Sequence, residues 1–244
     1  MLKIQGILVP IATPYDHRGD VYKVKLASNI DRLNTISLTG YVVGDELLTA
    51  EEKALVWELA AKAAKPGKLL GAVTTAPSVR ETVALTNRAA ELGFHFAMVR
   101  GAEATKALYY EAVADGAKIP VLVEADFGTT HPNILRTELS TNAASLFTDL
   151  KAGAKGGVIA IANAIPYSIQ LIWEAYRQRE EEAGFDWQER ITALAQVVAK
   201  YGLPGLKWAM DVNSYYGGVP RLPDAAVDDE AKAEIAGAIK DLKS

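Results

Sequence analysis

The sequence contains no cysteine among its 244 residues. This absence excludes disulfide bonds, thiolate metal sites and cysteine nucleophiles. The chain also lacks a run of roughly 18 uninterrupted apolar residues, the length that a membrane-spanning helix needs, and its first apolar stretch is too short for a signal peptide. A formal net charge of −4 and a pI near 5.5 leave no basic excess for nucleic acid or an anionic membrane. We therefore expect a cytoplasmic protein that binds neither.

Residues that could hold a metal ion are also scarce. The three histidines, His17, His95 and His131, are not paired with other ligands at metal-binding spacing, so we expect structural or surface roles for them. No glycine-rich fingerprint follows a predicted strand, which disfavours a nucleotide-binding fold. The sequence thus predicts neither a metal nor an organic cofactor.

Short apolar runs alternate with amphipathic helices through most of the chain. Strands that are apolar on both faces and separated by helices predict a parallel sheet covered by helices. The repeating unit suits a (β/α)₈ barrel, although a doubly wound open sheet would give a similar pattern. We predict six strands rather than eight, at residues 6–12, 40–43, 68–73, 94–99, 119–123 and 157–161.

The last part of the sequence is helical without a strand to pair with it. We predict a barrel over residues 1–186 and a helical segment over 187–244 that packs on it as part of the same structural unit. Within that segment, Gly202 and Pro204 are predicted to end one helix and begin the next.

Few residues at the predicted strand ends could carry chemistry. Thr13 follows the first strand and precedes Pro14, which fits either a plain strand exit or a hydroxyl at the barrel mouth. Asp45 and Glu46 follow the second strand, on the side where barrels place their sites. A lysine that forms an imine must be buried with a lowered pKa, and no lysine ends an apolar strand. The lysines weighed for this role fall on helices or in turns, at positions 53, 62, 65, 106, 151 and 155.

Several segments resemble a known enzyme family, and they occur in the same order along the chain. The resemblance is to the dihydrodipicolinate synthase / N-acetylneuraminate lyase family, especially its 4-hydroxy-2-oxoglutarate aldolase-like members. The segments that carry it are Gly6–Tyr15, Leu47–Lys53, Ser78–Thr86, His131–Ile134, Gly153–Asn163, Tyr201–Asp211 and Tyr215–Pro223.

This resemblance implies a (β/α)₈ TIM barrel with extra C-terminal helices. It also implies a class I aldolase, a carbon–carbon lyase that forms a Schiff base between a lysine and pyruvate or a related 2-keto acid, with an aldehyde as second reactant and no cofactor. Substrate-binding positions carried over are Thr13, Gly44, Val158 and Ala160, and no catalytic residue can be assigned. A homo-oligomer, either a dimer or a tetramer, is expected by analogy.

Four elements of the family pattern are missing, each at the carboxyl-terminal end of a strand. A carboxylate-binding loop is shortened after Val43, and a Pro-x-Tyr-Tyr element is absent after Arg100. A catalytic tyrosine with its loop is absent after Val123, as is the imine-forming lysine after Leu135. We interpret the sequence as lacking the active-site loops and the sixth βα unit of a longer enzyme. The alternative is a catalytically inactive, shortened barrel that acts as a binding or scaffold protein.

Overall fold

The computed structural model of the chain describes residues 2–100, 107–123 and 130–242. Within these ranges seven strands alternate with helices. The strands are β1 Gly6–Pro10, β2 Gly40–Val43, β3 Leu69–Val73, β4 Phe96–Met98, β5 Val121–Leu122, β6 Ile134–Leu135 and β7 Gly156–Val158. The α-helices are α1 Lys23–Leu33, α2 Ala50–Ala63, α3 Val79–Glu91, α4 Ala107–Gly116, α5 Leu146–Ala152, α6 Pro166–Gln178, α7 Glu181–Val212 and α8 Asp229–Ile239.

The strands form one curled, parallel sheet in the order β6-β5-β4-β3-β2-β1-β7. Soon after β6, Ser140 forms a parallel bridge with Gly157 of β7. The amide of Ser140 donates to the carbonyl of Gly156 at 2.9 Å, and the amide of Val158 donates to the carbonyl of Ser140 at 2.8 Å. The segment that follows β6 therefore connects the two edges of the curled sheet through backbone hydrogen bonds.

The interior of this sheet is packed with apolar side chains. Every strand contributes at least one residue to the cluster, as expected for strands that are buried on both faces. A Cβ atom added to Gly71 would lie 2.3 Å from Cζ of Phe96, so the glycine makes room for the aromatic ring. The cluster contains no lysine; its members are Ile4, Leu8, Val42, Val73, Phe96, Met98, Leu122, Leu135 and Val158.

The helices pack against the outer face of the sheet through a larger apolar cluster. Helix α2 begins at a capping box: the hydroxyl of Thr49 accepts from the amide of Glu52, whose carboxylate accepts from the amide of Thr49. At the start of α3 the Ser78 hydroxyl accepts from the amide of Glu81. These caps fix where both helices begin and, with them, the loops that precede them.

The sequence undercounted the strands. Six were predicted and seven are present, because β6 is only two residues long and gives no recognisable pattern. No helix lies in the described stretch between Leu135 and Ser140. A two-residue sixth strand is nevertheless present, so the absence of the whole sixth βα unit stays a prediction.

The C-terminal helices bear out the predicted break. Gly202 has non-helical backbone angles, φ 63° and ψ −149°, inside α7, which confirms that one helical stretch ends there and another begins at Pro204. The predicted domain boundary at residues 186 and 187 lies inside α7, and the division into a barrel and a helical segment stays a prediction. Among the described residues, no helix combines the length and apolar character that crossing a membrane requires.

Candidate functional site

Side chains gather around Asp45 at the carboxyl-terminal ends of β1 and β2. The hydroxyl of Thr13 donates to Asp45 Oδ2 at 2.9 Å, and the hydroxyl of Tyr15 donates to the same oxygen at 3.3 Å. Asp45 Oδ1 accepts from the amide of Leu47 at 2.9 Å, which fixes the carboxylate. Three donors therefore hold one carboxylate at the face where barrel enzymes carry out their chemistry.

A buried lysine from α7 lies beside this group. Lys207 is 1% exposed, and its Nζ donates to the carbonyl of Thr13 at 2.6 Å and to that of Gly217 at 2.8 Å. Its Nζ lies 4.9 Å from the centroid of the Tyr15 ring. Burial lowers the pKa of Lys207 to about 8, and the charge of Asp45 is the strongest opposing influence. Lys207 therefore has a more readily deprotonated amine than an ordinary lysine.

A second buried lysine lies at the same carboxyl-terminal end of the strands. Lys53, on α2, is 4% exposed, and its Nζ donates to the carbonyl of Thr75 at 2.6 Å, just beyond β3. Burial lowers the pKa of Lys53, while the charges of Asp45 and Glu46 oppose that shift. The amide of Arg100 donates to the Thr75 hydroxyl at 2.6 Å, so Thr75 connects the exits of β3 and β4.

An ion pair between Arg221 and Glu52 lies against Tyr15 in this group. The Arg221 guanidinium bonds both carboxylate oxygens of Glu52, at 2.6 and 2.9 Å, and stacks on the Tyr15 ring with 4.2 Å between Cζ and the ring centroid. This bidentate bond holds the pKa of Glu52 below its usual value. Burial raises the pKa of the Tyr15 hydroxyl, which stays protonated and acts as a donor.

The four predicted substrate-binding residues all lie at or just beyond strand ends. Thr13 is 3% exposed and bonded to Asp45; Gly44 precedes Asp45 and has φ +103°, a conformation that favours glycine. Val158 ends β7 inside the apolar cluster, whereas Ala160 is exposed and its carbonyl accepts from Asn163 Nδ2 at 2.9 Å. The structure thus brings Thr13 next to Asp45 through a hydrogen bond, and Gly44 precedes Asp45 along the chain. The substrate-binding role of all four stays a prediction.

The sequence analysis missed Lys207 and set Lys53 aside. Lys207 lies in the apolar stretch Gly205–Met210, and a single charge inside such a stretch is a usable signal of burial. Lys53 was set aside because it lies on a helix, although its long side chain reaches the end of β3. Position along the chain does not reveal where a flexible side chain of this length ends.

Other residues have the structural roles expected of them. His95 Nδ1 accepts from the amide of Leu70, and His131 pairs with Asp115 at 2.9 Å. No group of three or more His, Cys, Asp or Glu residues in the described ranges is arranged to hold a metal ion. The predicted departures after Arg100 and Val123 lead into residues 101–106 and 124–129, which lie outside the described residues.

Comparisons with known proteins identify the relatives of this chain. It is 22% identical over 283 residues to a 4-hydroxy-tetrahydrodipicolinate synthase of an Exiguobacterium species, covering 96% of this chain and 97% of that one. It is 28% identical over 213 residues to a protein of Emericella nidulans named "Probable 4-hydroxy-2-oxoglutarate aldolase, mitochondrial", covering 69% of each. The resemblance to the dihydrodipicolinate synthase / N-acetylneuraminate lyase family is confirmed. No protein-family model matches the chain.

Solved structures of the same family share the fold. Dihydrodipicolinate synthase from Aquifex aeolicus matches with a TM-score of 0.88 at 19% identity, covering 98% of this chain and 99% of that one. YagE, a family member from E. coli K12 solved in complex with pyruvate, also matches with a TM-score of 0.88, at 20% identity and 98% coverage of both chains.

The sequence alignment also bears on the missing segments. The alignment with the Exiguobacterium synthase spans 283 positions, more than the 244 residues of this chain. That synthase therefore carries segments that have no counterpart here. The two curated relatives are by name a synthase and an aldolase, which supports a lyase at the level of the family.

Proposed function

We propose that this chain is a Schiff-base-dependent lyase that acts on pyruvate or a related 2-keto acid, of the 4-hydroxy-2-oxoglutarate aldolase or dihydrodipicolinate synthase type. The observation that carries the proposal is the buried amine of Lys207 beside Tyr15, Thr13 and Asp45. The names of the curated relatives and the pyruvate complex of YagE support the substrate class.

The lowered pKa matters because only a neutral amine attacks a carbonyl. With a pKa of about 8, about a tenth of the Lys207 amines are neutral at pH 7, compared with roughly one in three thousand for an ordinary lysine. The amine would attack the keto carbon, a C–N bond would form, and the carbonyl oxygen would leave as water. The resulting protonated imine accepts the electron pair of the C3–C4 bond as that bond breaks, while the 4-hydroxyl loses its proton and an aldehyde departs. The remaining enamine then takes up a proton at C3 and becomes the product imine.

Proton transfers in this scheme fall to the groups around Asp45. The hydroxyls of Thr13 and Tyr15 both donate to one oxygen of the Asp45 carboxylate, so they would hold it in place while it accepts the proton that the substrate hydroxyl loses. Hydrolysis of the product imine would release the 2-keto acid and restore the amine. We further propose that the working form is a cytoplasmic homo-oligomer, as expected from the family resemblance.

A second candidate is a binding or scaffold protein without imine chemistry. The observation that favours it is that both buried amines, those of Lys53 and Lys207, are bonded to backbone carbonyls, while the interior cluster holds no lysine. In this interpretation the lysines stabilise the loops at the strand ends, and the barrel binds a 2-keto acid without transforming it.

An activity assay separates the two candidates. The lyase proposal predicts that the purified protein releases pyruvate from 4-hydroxy-2-oxoglutarate, detected with lactate dehydrogenase and NADH. Lys207→Met should abolish this release, whereas Lys200→Met, an exposed change on the same helix, should retain it. Release that is equal in Lys207→Met and the wild type would exclude Lys207 as the reacting amine. No release by the wild type would favour the binding protein.

A further inference from the structure

A cavity lies at the opposite end of the sheet from the Asp45 group. It has a volume of about 480 Å³ and is bordered by the residues that precede β1 and β2 and by one face of α6. Ser37 and Thr39 contribute hydroxyl groups from the chain before β2, and Trp173 contributes an aromatic wall. Its volume falls within the usual range for small-molecule sites, and its lining is mainly polar.

A buried amide group on α6 is the first sign of a ligand. Gln170 lines the cavity and is 5% exposed. Its Nε2 donates to Glu174 Oε1 at 3.2 Å, which fixes the orientation of the amide because the reverse orientation would place two acceptors together. The other amide atom, Gln170 Oε1, is buried and has no hydrogen-bond partner among the described residues. A buried acceptor without a donor costs free energy, and a ligand that donates a hydrogen bond would remove that cost.

Two oppositely charged residues on the same face of α6 are the second indication that the cavity binds a ligand. Glu174 and Arg177 both line the cavity and are spaced i,i+3, a distance at which opposite charges usually pair. They form no ion pair with each other, since the Glu174 carboxylate accepts from Gln170, and Arg177 forms none with any other described residue. The cavity is therefore lined by two residues that carry acceptor oxygens, Gln170 and Glu174, next to a separate guanidinium, that of Arg177.

We propose that this cavity binds a small zwitterion of the α-amino acid class. The ammonium group would donate to Gln170 Oε1 and to the Glu174 carboxylate, and the carboxylate group would bond the Arg177 guanidinium. The side chain of the ligand would lie against Trp173 and the hydroxyls of Ser37 and Thr39. The site is distinct from the proposed lyase site and does not depend on its activity.

Binding of three related compounds to the full chain tests the assignment. L-alanine carries both charged groups, L-lactate has a hydroxyl in place of the ammonium, and ethylamine lacks the carboxylate. Titration calorimetry should detect L-alanine, with L-lactate and ethylamine at least about tenfold weaker because each leaves one side of the site unpaired. Binding of L-lactate as tight as that of L-alanine would overturn the ammonium assignment, and no binding of L-alanine would overturn the proposal as a whole.

Variants on α6 locate the binding. Gln170→Leu removes the unpaired acceptor and Arg177→Gln removes the cation, and each should weaken L-alanine binding by about tenfold or more. Gln178→Leu is the matched control, because Gln178 is exposed on the same helix and does not line the cavity, and it should leave the affinity within about twofold. Circular dichroism confirms that each variant is folded. Unchanged affinity in folded Gln170→Leu and Arg177→Gln would overturn the proposal.

Discussion

The lowered pKa of Lys207 predicts how stability changes with pH. Burial lowers the pKa from 10.5 to about 8 in the folded chain, so the unfolded chain binds more protons between these values. Stability contributed by this group therefore rises with pH, starting near pH 8. Integrating the proton difference from pH 7 to 9.5 gives an increase of about 2 kcal/mol in the free energy of unfolding.

Urea unfolding followed by tryptophan fluorescence measures this increase. The wild type and Lys207→Met are compared at several pH values between 7 and 9.5, and tyrosine ionisation in the unfolded chain contributes equally to both proteins. We expect the difference between the two free energies of unfolding to grow by about 2 kcal/mol over this range, whatever its starting value. Any contribution from Lys53, whose pKa is also lowered, is present in both proteins and cancels.

Lys200→Met provides the control on the same helix. A hydrogen bond with Glu234 raises the pKa of Lys200, so this lysine keeps its proton through the range and its loss should not alter the pH dependence. If the free energies of the wild type and Lys207→Met change in parallel with pH, the amine of Lys207 is not perturbed, and the argument for its reactivity fails.

Two further substitutions test the surroundings. Asp45→Asn removes the charge that most opposes the lowered pKa of Lys207, so that pKa should fall further and the rise in stability should begin at lower pH. The substitution also weakens the hydrogen bonds from Thr13 and Tyr15, which should reduce the free energy of unfolding at pH 7 by about 1–3 kcal/mol. An unchanged onset would contradict the coupling. Gly71→Ala should cost about 1–3 kcal/mol by driving a methyl group into Phe96, measured by urea unfolding. Gly237→Ala in α8 meets open space and should stabilise by about 0.5–1 kcal/mol; equal effects of the two glycine changes would refute the packing argument.

Much of the fold could be predicted from local patterns. The strands Gly40–Val43 and Leu69–Val73 are apolar on both faces, and the helix from Ala50 begins at a capping box, so each carries its own signal. The break at Gly202 was also predictable, because glycine and proline act on the backbone locally.

The contact between the two edges of the sheet could not be predicted from sequence alone. β6 spans only Ile134–Leu135, too short for any period to be read. The bridge between Ser140 and Gly157 depends on backbone groups brought together by the curvature of the whole sheet. Such a contact leaves no pattern in side-chain hydrophobicity.

The candidate site was predictable only in part. Asp45 was placed correctly at a strand end, because strand ends of a parallel sheet meet on one face. Lys207 was missed because its amine reaches Thr13 from a helix far along the chain, and the same burial that hides it lowers its pKa. Contacts between residues this far apart in the sequence depend on the tertiary fold.

Trapping of the imine tests the central claim most directly. The wild-type protein is incubated with pyruvate, reduced with sodium borohydride, digested and analysed by peptide mass spectrometry, with samples lacking pyruvate or borohydride as controls. The account predicts a reduced pyruvate adduct on the peptide that carries Lys207, and none at that position in Lys207→Met. An adduct on another lysine, or no adduct on any, would contradict it.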